Sequence, residues 1–401
     1  TRFGLKSRGS EMCIRDRLET PFALQGFVLE SEQQITRLSE HCQYVYVDCE
    51  QSAKSAVGGR RKLRRRPRKS TVELFGNRTI KSYQDRAGWS EEYPKAQAAV
   101  KVLSEGIEEV FASVTSGGAL DVVKVKKSVD PMIDSITRNP DACIWLARLK
   151  QEDAYTYQHS LGASIWAVAL GRQLGLPKSD LRSLAIGGLL FDIGKLKVDR
   201  ELLSANRSLS DDEFQQVRSH VERGVEMIRD SGLMNKDVID MIAHHHERHD
   251  GSGYPHGLRG DDIPIFARIA AIVDCYDAIT SHRSYARAIP PSVAIKMLYE
   301  WRDIDFQGEL VEEFIQAVGI YPAGTLVELS SGEVAVVMAE YRTRRLRPRV
   351  MVLLDQEKQP VADIKTIDLR EVNVNGDGTP LEIINSLEPH AYGIDMTAIE
   401  L

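Results

Sequence analysis

Histidine is scarce in this chain, and half of it is gathered in one place. Of ten histidines in 401 residues, His244, His245, His246, His249 and His256 fall within one short stretch. A fold that buries such a cluster must give each imidazole a partner, because buried polar groups without one are costly. A shared metal satisfies several imidazoles at once, and neutral imidazole suits zinc, iron and similar ions. The stretch reads His245-His246-Glu247-Arg248-His249-Asp250-Gly251-Ser252-Gly253-Tyr254-Pro255, so a Gly-rich turn follows the imidazoles directly. Glycines in that turn let the backbone bend sharply and approach a ligand.

Other polar candidates interrupt apolar helical segments along the chain. His159 lies on a segment running through Ala163, Ala167 and Leu170, and Leu189-Leu190-Phe191-Asp192-Ile193-Gly194-Lys195 ends another with an acid, a tight turn and a cation. Ser210-Asp211-Asp212-Glu213 is a capping box that opens a helix carrying His220. Downstream, Asp274 and Asp277 interrupt Ala270–Thr280 one turn apart, on the same helix face. Taken singly, each is more often a satisfied core or surface group, and a lone His159 reads as structural. Taken together they share one economical solution, a common metal.

The order His, Asp-x-Gly-Lys, His, His-His-Glu-x-x-Asp-Gly-x-Gly-Tyr-Pro, Asp-x-x-Asp-Ala-x-Thr resembles the HD-GYP family of metal-dependent phosphohydrolases. The similarity runs from about 150 to 320 and includes Gly257-Leu258-Arg259-Gly260, Ile263-Pro264 and Ala267-Arg268-Ile269. The resemblance implies a mainly α fold, an HD-type helical bundle over 146–320, and hydrolysis of the bacterial second messenger cyclic di-GMP to pGpG or GMP. It implies His159, Asp192, His220, His245, His246 and Asp274 as ligands of two divalent transition metals, with Asp192 bridging them. Iron, manganese, zinc and nickel all suit such mixed ligation. Asp192 and Lys195 would be the catalytic pair. Lys195 and Arg283 would face the scissile phosphate, with Gly253, Tyr254 and Pro255 forming the substrate-contacting turn. Paired metals make water acidic near neutral pH and neutralise phosphodiester charge.

Three positions depart from that pattern. The first residue of the family's His-Asp pair is Phe191, which has no lone pair. A Glu that some members place one turn before the first His is Tyr155, and the residue three after Arg283 is Ala286, although Arg287 adjoins it. Loss of an imidazole leaves open whether two metals bind or only one. It equally leaves open a weakened enzyme, or a degenerate relative that senses cyclic di-GMP or scaffolds partners. Action on another cyclic dinucleotide is a third reading, because the motif does not fix the residues that contact the bases.

With 42% apolar and 27% charged residues, the chain has the balance of soluble globular protein and ample core for two or three domains. Its apolar runs are too short to span a membrane, and no secretory signal opens it. Five scattered cysteines form no close pair, which fits a reducing cytoplasm. Residues 1–17 contain Met12-Cys13-Ile14-Arg15-Asp16-Arg17, which reads as a translated sequencing adapter, so this segment is set apart as adapter-derived or disordered.

Residues 18–50 read as a truncated α/β domain, with alternation over Phe22–Leu29, a helix from Ser31 through Leu38 and a strand at Tyr44–Asp48. They resemble the domain of unknown function that precedes proteobacterial HD-GYP domains. Residues 51–90 are a linker holding eight basic residues between Arg60 and Lys69; subtracting these from the net of −6 leaves −14 for the rest. Such a run is a solvated linker, or a contact for acidic lipid, nucleic acid or a protein partner. Without interleaved aromatics, nucleic acid is the poorer choice. Helices over 91–115 and 129–137 belong to a connector spanning 91–145. Beyond 321, strands at Thr325–Leu329, Glu333–Met338 and Val350–Leu354 predict a short β extension, with Arg342–Arg347 as an exposed turn or a nucleotide contact.

Overall fold

The computed structural model describes residues 2–5, 27–28, 45–48, 69–149 except 77, 155–281 except 206, and 288–396 except 342–344, 373 and 375–377. The expected helix from Ser31 and the basic run up to Arg68 lie outside the described residues. Arg2–Leu5, from the segment the sequence set apart, is the middle strand of a three-stranded antiparallel sheet, between Phe27–Val28 and Val45–Asp48.

The connector is a helical hairpin. Leu103, Ile107, Val110 and Val114 recur at helical spacing along Trp89–Thr115 and are buried, as are Val125, Val129, Met132 and Ile136 along Val122–Arg138. The second helix starts a full seven residues before the expected 129, because Asp121 caps it by accepting from the Lys124 N–H. Lysines between the buried valines hid that first stretch. Glu92 is fully buried and binds both Arg138 (2.7 and 2.8 Å) and the Ser135 hydroxyl (2.7 Å), which ties the start of one helix to the end of the other. Pro140–Arg148 follows at once, capped by Asn139 with proline in its first position.

The central body consists of the helices Tyr155–Gln173, Lys178–Leu190, His220–Asp230, Lys236–His244, Ile265–Thr280, Pro291–Glu300 and Gly308–Val318. Lys178–Leu190 and Ile265–Thr280 are buried nearly all round, so the acids they carry or lead into lie at the centre of the protein. Among the described residues, no helix is long and apolar enough to cross a membrane.

A five-stranded antiparallel sheet closes the chain, in the order Pro360–Asp368, Arg349–Leu354, Val334–Ala339, Leu326–Leu329, Ile383–Ser386. The three inner strands match the apolar runs of the sequence. Pro360–Asp368 is mostly exposed and held by pairing along Arg349–Leu354, so it carries no alternation to read. Asp141 accepts from the Glu340 N–H (3.1 Å) and Glu340 accepts from the Tyr321 N–H (3.1 Å), which docks the sheet on the helical body. The described arginines of the basic turn serve the fold: Arg345 donates to the Ile315 carbonyl and Arg347 to the Leu369 carbonyl.

Candidate metal centre

The helix Lys178–Leu190 runs into a 3-10 turn over Ile193–Lys197, and Asp192 sits at the junction. Gly194 makes that junction possible. A Cβ there would lie 1.9 Å from the His220 carbonyl oxygen and 2.6 Å from the Gly224 nitrogen. The absent side chain lets the turn press onto the start of the His220 helix, which sets Asp192 beside His220. Gly194→Ala is therefore expected to lower stability by about 1–3 kcal/mol, read as a fall in the denaturation midpoint. An unchanged midpoint would show that the two segments can separate freely.

All six side chains proposed as ligands come together, in two groups that share Asp192. One group is Asp192, His220, His245 and His246; the other is His159, Asp192 and Asp274. Each is at most 3% exposed. The two oxygens of Asp192 divide between the groups. Oδ1 lies 3.4 Å from His220 Nε2 and 3.6 Å from His245 Nε2, while Oδ2 lies 3.6 Å from His159 Nε2 and 2.8 Å from Lys195 Nζ.

The hydrogen bonds of the rings show what the first group can hold. His220 Nδ1 donates to the Val217 carbonyl (2.7 Å) and His245 Nδ1 donates to the Ile242 carbonyl (3.0 Å). In neutral rings each Nε2 then presents a bare lone pair. These two nitrogens face each other at 3.5 Å, His246 Nε2 is 3.2 Å from His220 Nε2, and Asp192 Oδ1 receives no hydrogen bond. Two bare imidazole nitrogens, of His220 and His245, converging with an unpartnered carboxylate oxygen fit a cation. Burial pushes His220 down to about 4, and holds His246 well below its usual range with help from the neighbouring imidazoles. Both rings are thus neutral and ready to ligate near pH 7. Burial also pushes Asp192 upward, but Lys195 and the imidazoles hold it well below the ordinary carboxylate value.

The second group is more acidic and carries a proton. His159 Nε2 is 3.1 Å from Asp274 Oδ1, and Nδ1 is 2.8 Å from Asp277 Oδ2. Burial lowers the His159 pKa, but the bonds to Asp274 and Asp277 overcome it and raise it to about 9. Ligation through Nε2 requires loss of that proton, so metal uptake should strengthen as pH rises toward 9. At pH 7–8 it should release about one proton per chain. Calorimetry in buffers of different ionisation enthalpy checks this; identical heats would mean that His159 is already neutral.

Several neighbours hold the candidate ligands in place. Asp277 binds His159 and accepts from Trp166 Nε1 (2.9 Å), so it orients the ring as a carboxylate behind a metal-bound histidine does. Its position one turn from Asp274 was the available signal. Glu247, buried, accepts from the His256 and Leu258 N–H groups (2.8 and 2.9 Å) and clasps the Gly-rich loop. Tyr254 is 2% exposed and stacks on His246 at 4.6 Å and 24°, so its ring backs an imidazole. At Gly253 a Cβ would meet the His246 carbonyl oxygen at 2.4 Å, and Pro255, next to Tyr254, is half-buried. Phe191 is fully buried, with ring centroids 5.6 Å from His159 and 4.9 Å from His245. It lines the centre without a donor atom. Arg283, Ala286 and Arg287 lie outside the described residues, as does the side chain of Tyr155.

The HD domain family matches residues 133–308, which hold all six candidate ligands. A cyclic di-GMP phosphodiesterase of Pseudomonas aeruginosa is 37% identical over 284 residues, covering 71% of this chain and 68% of that protein. The chain belongs to the HD-GYP family. The cyclic di-GMP phosphodiesterase response regulator RpfG of Xanthomonas campestris is 36% identical over 150 residues, 37% of this HD-GYP chain and 39% of the regulator. The 3'3'-cGAMP-specific phosphodiesterase 3 of Vibrio cholerae is 33% identical over 161 residues, 39% of this chain and 35% of that enzyme. This HD-GYP chain thus spans well under half the length of the latter two. A domain of unknown function, DUF3391, matches residues 12–125, and a KOW domain associated with HD domains matches 326–374. The fold is therefore a mainly α HD-type bundle with a small N-terminal domain and a short β extension. The HD domain implies divalent-metal binding, and the buried acceptor groups fit it.

Proposed function

We propose that this protein is a metal-dependent phosphodiesterase that hydrolyses cyclic di-GMP to pGpG or GMP. One observation carries the reading: the two oxygens of Asp192 face two separate sets of buried acceptors. That is the arrangement of a carboxylate between two cations. When bound, two divalent metals supply an acidic water and neutralise the phosphodiester. Iron, manganese, zinc and nickel all suit the donors.

The protein's own residues do the rest. Lys195 fixes Asp192 through Oδ2 and, with its side chain 17% exposed, presents positive charge at the rim of the centre to an incoming phosphate. Arg283 is proposed to offer the scissile phosphate a planar fork. Asp277 keeps Nε2 of His159 aimed at Asp192 and Asp274. Phe191 keeps water from the wall between His159 and His245, and it leaves the three-donor group without a further imidazole.

The cyclic di-GMP phosphodiesterases among the relatives support cyclic di-GMP over a mixed ring, and the scattered cysteines support a cytoplasmic setting. The test is hydrolysis of cyclic di-GMP and of 3'3'-cGAMP by the metal-loaded chain and by the chelator-treated chain. Faster opening of cyclic di-GMP, lost on chelation, is expected. Equal rates with and without metal would refute the mechanism, and preference for 3'3'-cGAMP would refute the substrate.

A further inference from the structure

We infer that Arg218 binds substrate, meeting the phosphodiester of a cyclic dinucleotide that does not lie over the metals. This rests on the phosphodiesterase reading above. Arg218 ends the helix Asp211–Arg218, two residues before His220. Its guanidinium lies 4.2 Å from the centroid of the Tyr254 ring and 5.5 Å from that of Phe214. Tyr254 also stacks on His246 at 4.6 Å. Tyr254 thus contacts both an imidazole of the candidate centre and the Arg218 cation.

Several other cations near the centre are held by neighbouring groups. Lys195 pairs with Asp192, Arg248 donates to the His245 and Glu247 carbonyls, Arg223 donates to the Lys197 carbonyl, and Arg268 binds Asp261 and Gln307. Among the described residues, Arg218 has ring contacts but neither a carboxylate nor a hydrogen-bond acceptor. A guanidinium held over a ring keeps its N–H donors for an acceptor. Because Arg218 is half-buried, those donors are both positioned and reachable.

A ring of two nucleotides contains two phosphodiesters, and the metals engage one of them. The second is a monoanion with two free oxygens, and the planar fork of arginine matches that geometry. Position 218 would then favour rings over substrates with a single phosphodiester.

The experiment compares Arg218→Gln and Arg218→Lys with wild type on cyclic di-GMP and on bis(p-nitrophenyl) phosphate, which has one phosphodiester. Metal content and thermal midpoint are measured on every protein. Arg218→Gln should raise KM for cyclic di-GMP by about 10- to 100-fold, with a smaller change in kcat. The effect on the model diester should be smaller by about tenfold, Arg218→Lys should recover part of the loss, and metal content should match wild type. Parallel losses on both substrates, accompanied by loss of metal, would make Arg218 a clamp on Tyr254 and overturn the inference; so would an unchanged KM. Should wild type cleave the model diester but not cyclic di-GMP, the substrate reading fails by itself. The same comparison with 3'3'-cGAMP then decides Arg218.

Discussion

Asp192→Ala is expected to abolish cyclic di-GMP hydrolysis and to strip metal from both groups. No other described side chain belongs to both sets of acceptors. Removal of an outer-shell partner costs about 10–100-fold in metal affinity or activity, and loss of a shared inner ligand should cost at least about 100-fold. The variant also removes the negative charge that His220 and His245 face. Folding should survive, because the helix Lys178–Leu190 and its apolar contacts are untouched. Elemental analysis and a hydrolysis assay on the purified variant check the expectation. Normal turnover with normal metal would show that the centre is not built on Asp192.

The second large effect is a gain. Phe191→His should raise metal occupancy and the rate of cyclic di-GMP hydrolysis together. Phe191 is fully buried at the wall of the centre, between His159 and His245. An imidazole is smaller than a phenyl ring, so the change does not overpack the site. Without metal, the new ring buries polar nitrogens in place of carbon, which should destabilise the metal-free variant by about 1–3 kcal/mol. With metal, that penalty turns into ligation. Thermal midpoints with and without metal should therefore spread further apart in the variant than in wild type. An equal spread, with unchanged metal content, would mean that position 191 does not reach the ions.

The sequence showed the centre better than its support. Each proposed ligand but His220 stood out as a polar group in or ending an apolar helical segment or within the histidine run, and such groups need partners. His220 was placed on the helix opened at Ser210, which ends at Arg218, and it starts the next helix. Phe191 could be placed at the site because it adjoins Asp192. Asp277 was visible as a face-mate of Asp274, but its bond to His159 joins residues 118 apart in the chain, and no local pattern reports that. The clasp of Glu247 on the Gly-rich loop depends on backbone N–H groups, which every residue but proline carries, and so leaves no signature in side-chain identity. Arg218 was passed over for a similar reason: a surface arginine gains meaning only when Tyr254 is folded beneath it. Pro360–Asp368 was missed because an exposed edge strand is held by backbone pairing, and the strand at Arg2–Leu5 because it lies beside an adapter-like segment.

The most direct test is a metal titration of the chelator-treated protein, with bound metal per chain and cyclic di-GMP hydrolysis measured on the same samples. The account predicts no turnover without metal, and activity that rises as the two groups sharing Asp192 fill, with the His159–Asp192–Asp274 group, which lacks an imidazole from position 191, filling last. Undiminished hydrolysis by the metal-free chain would contradict it.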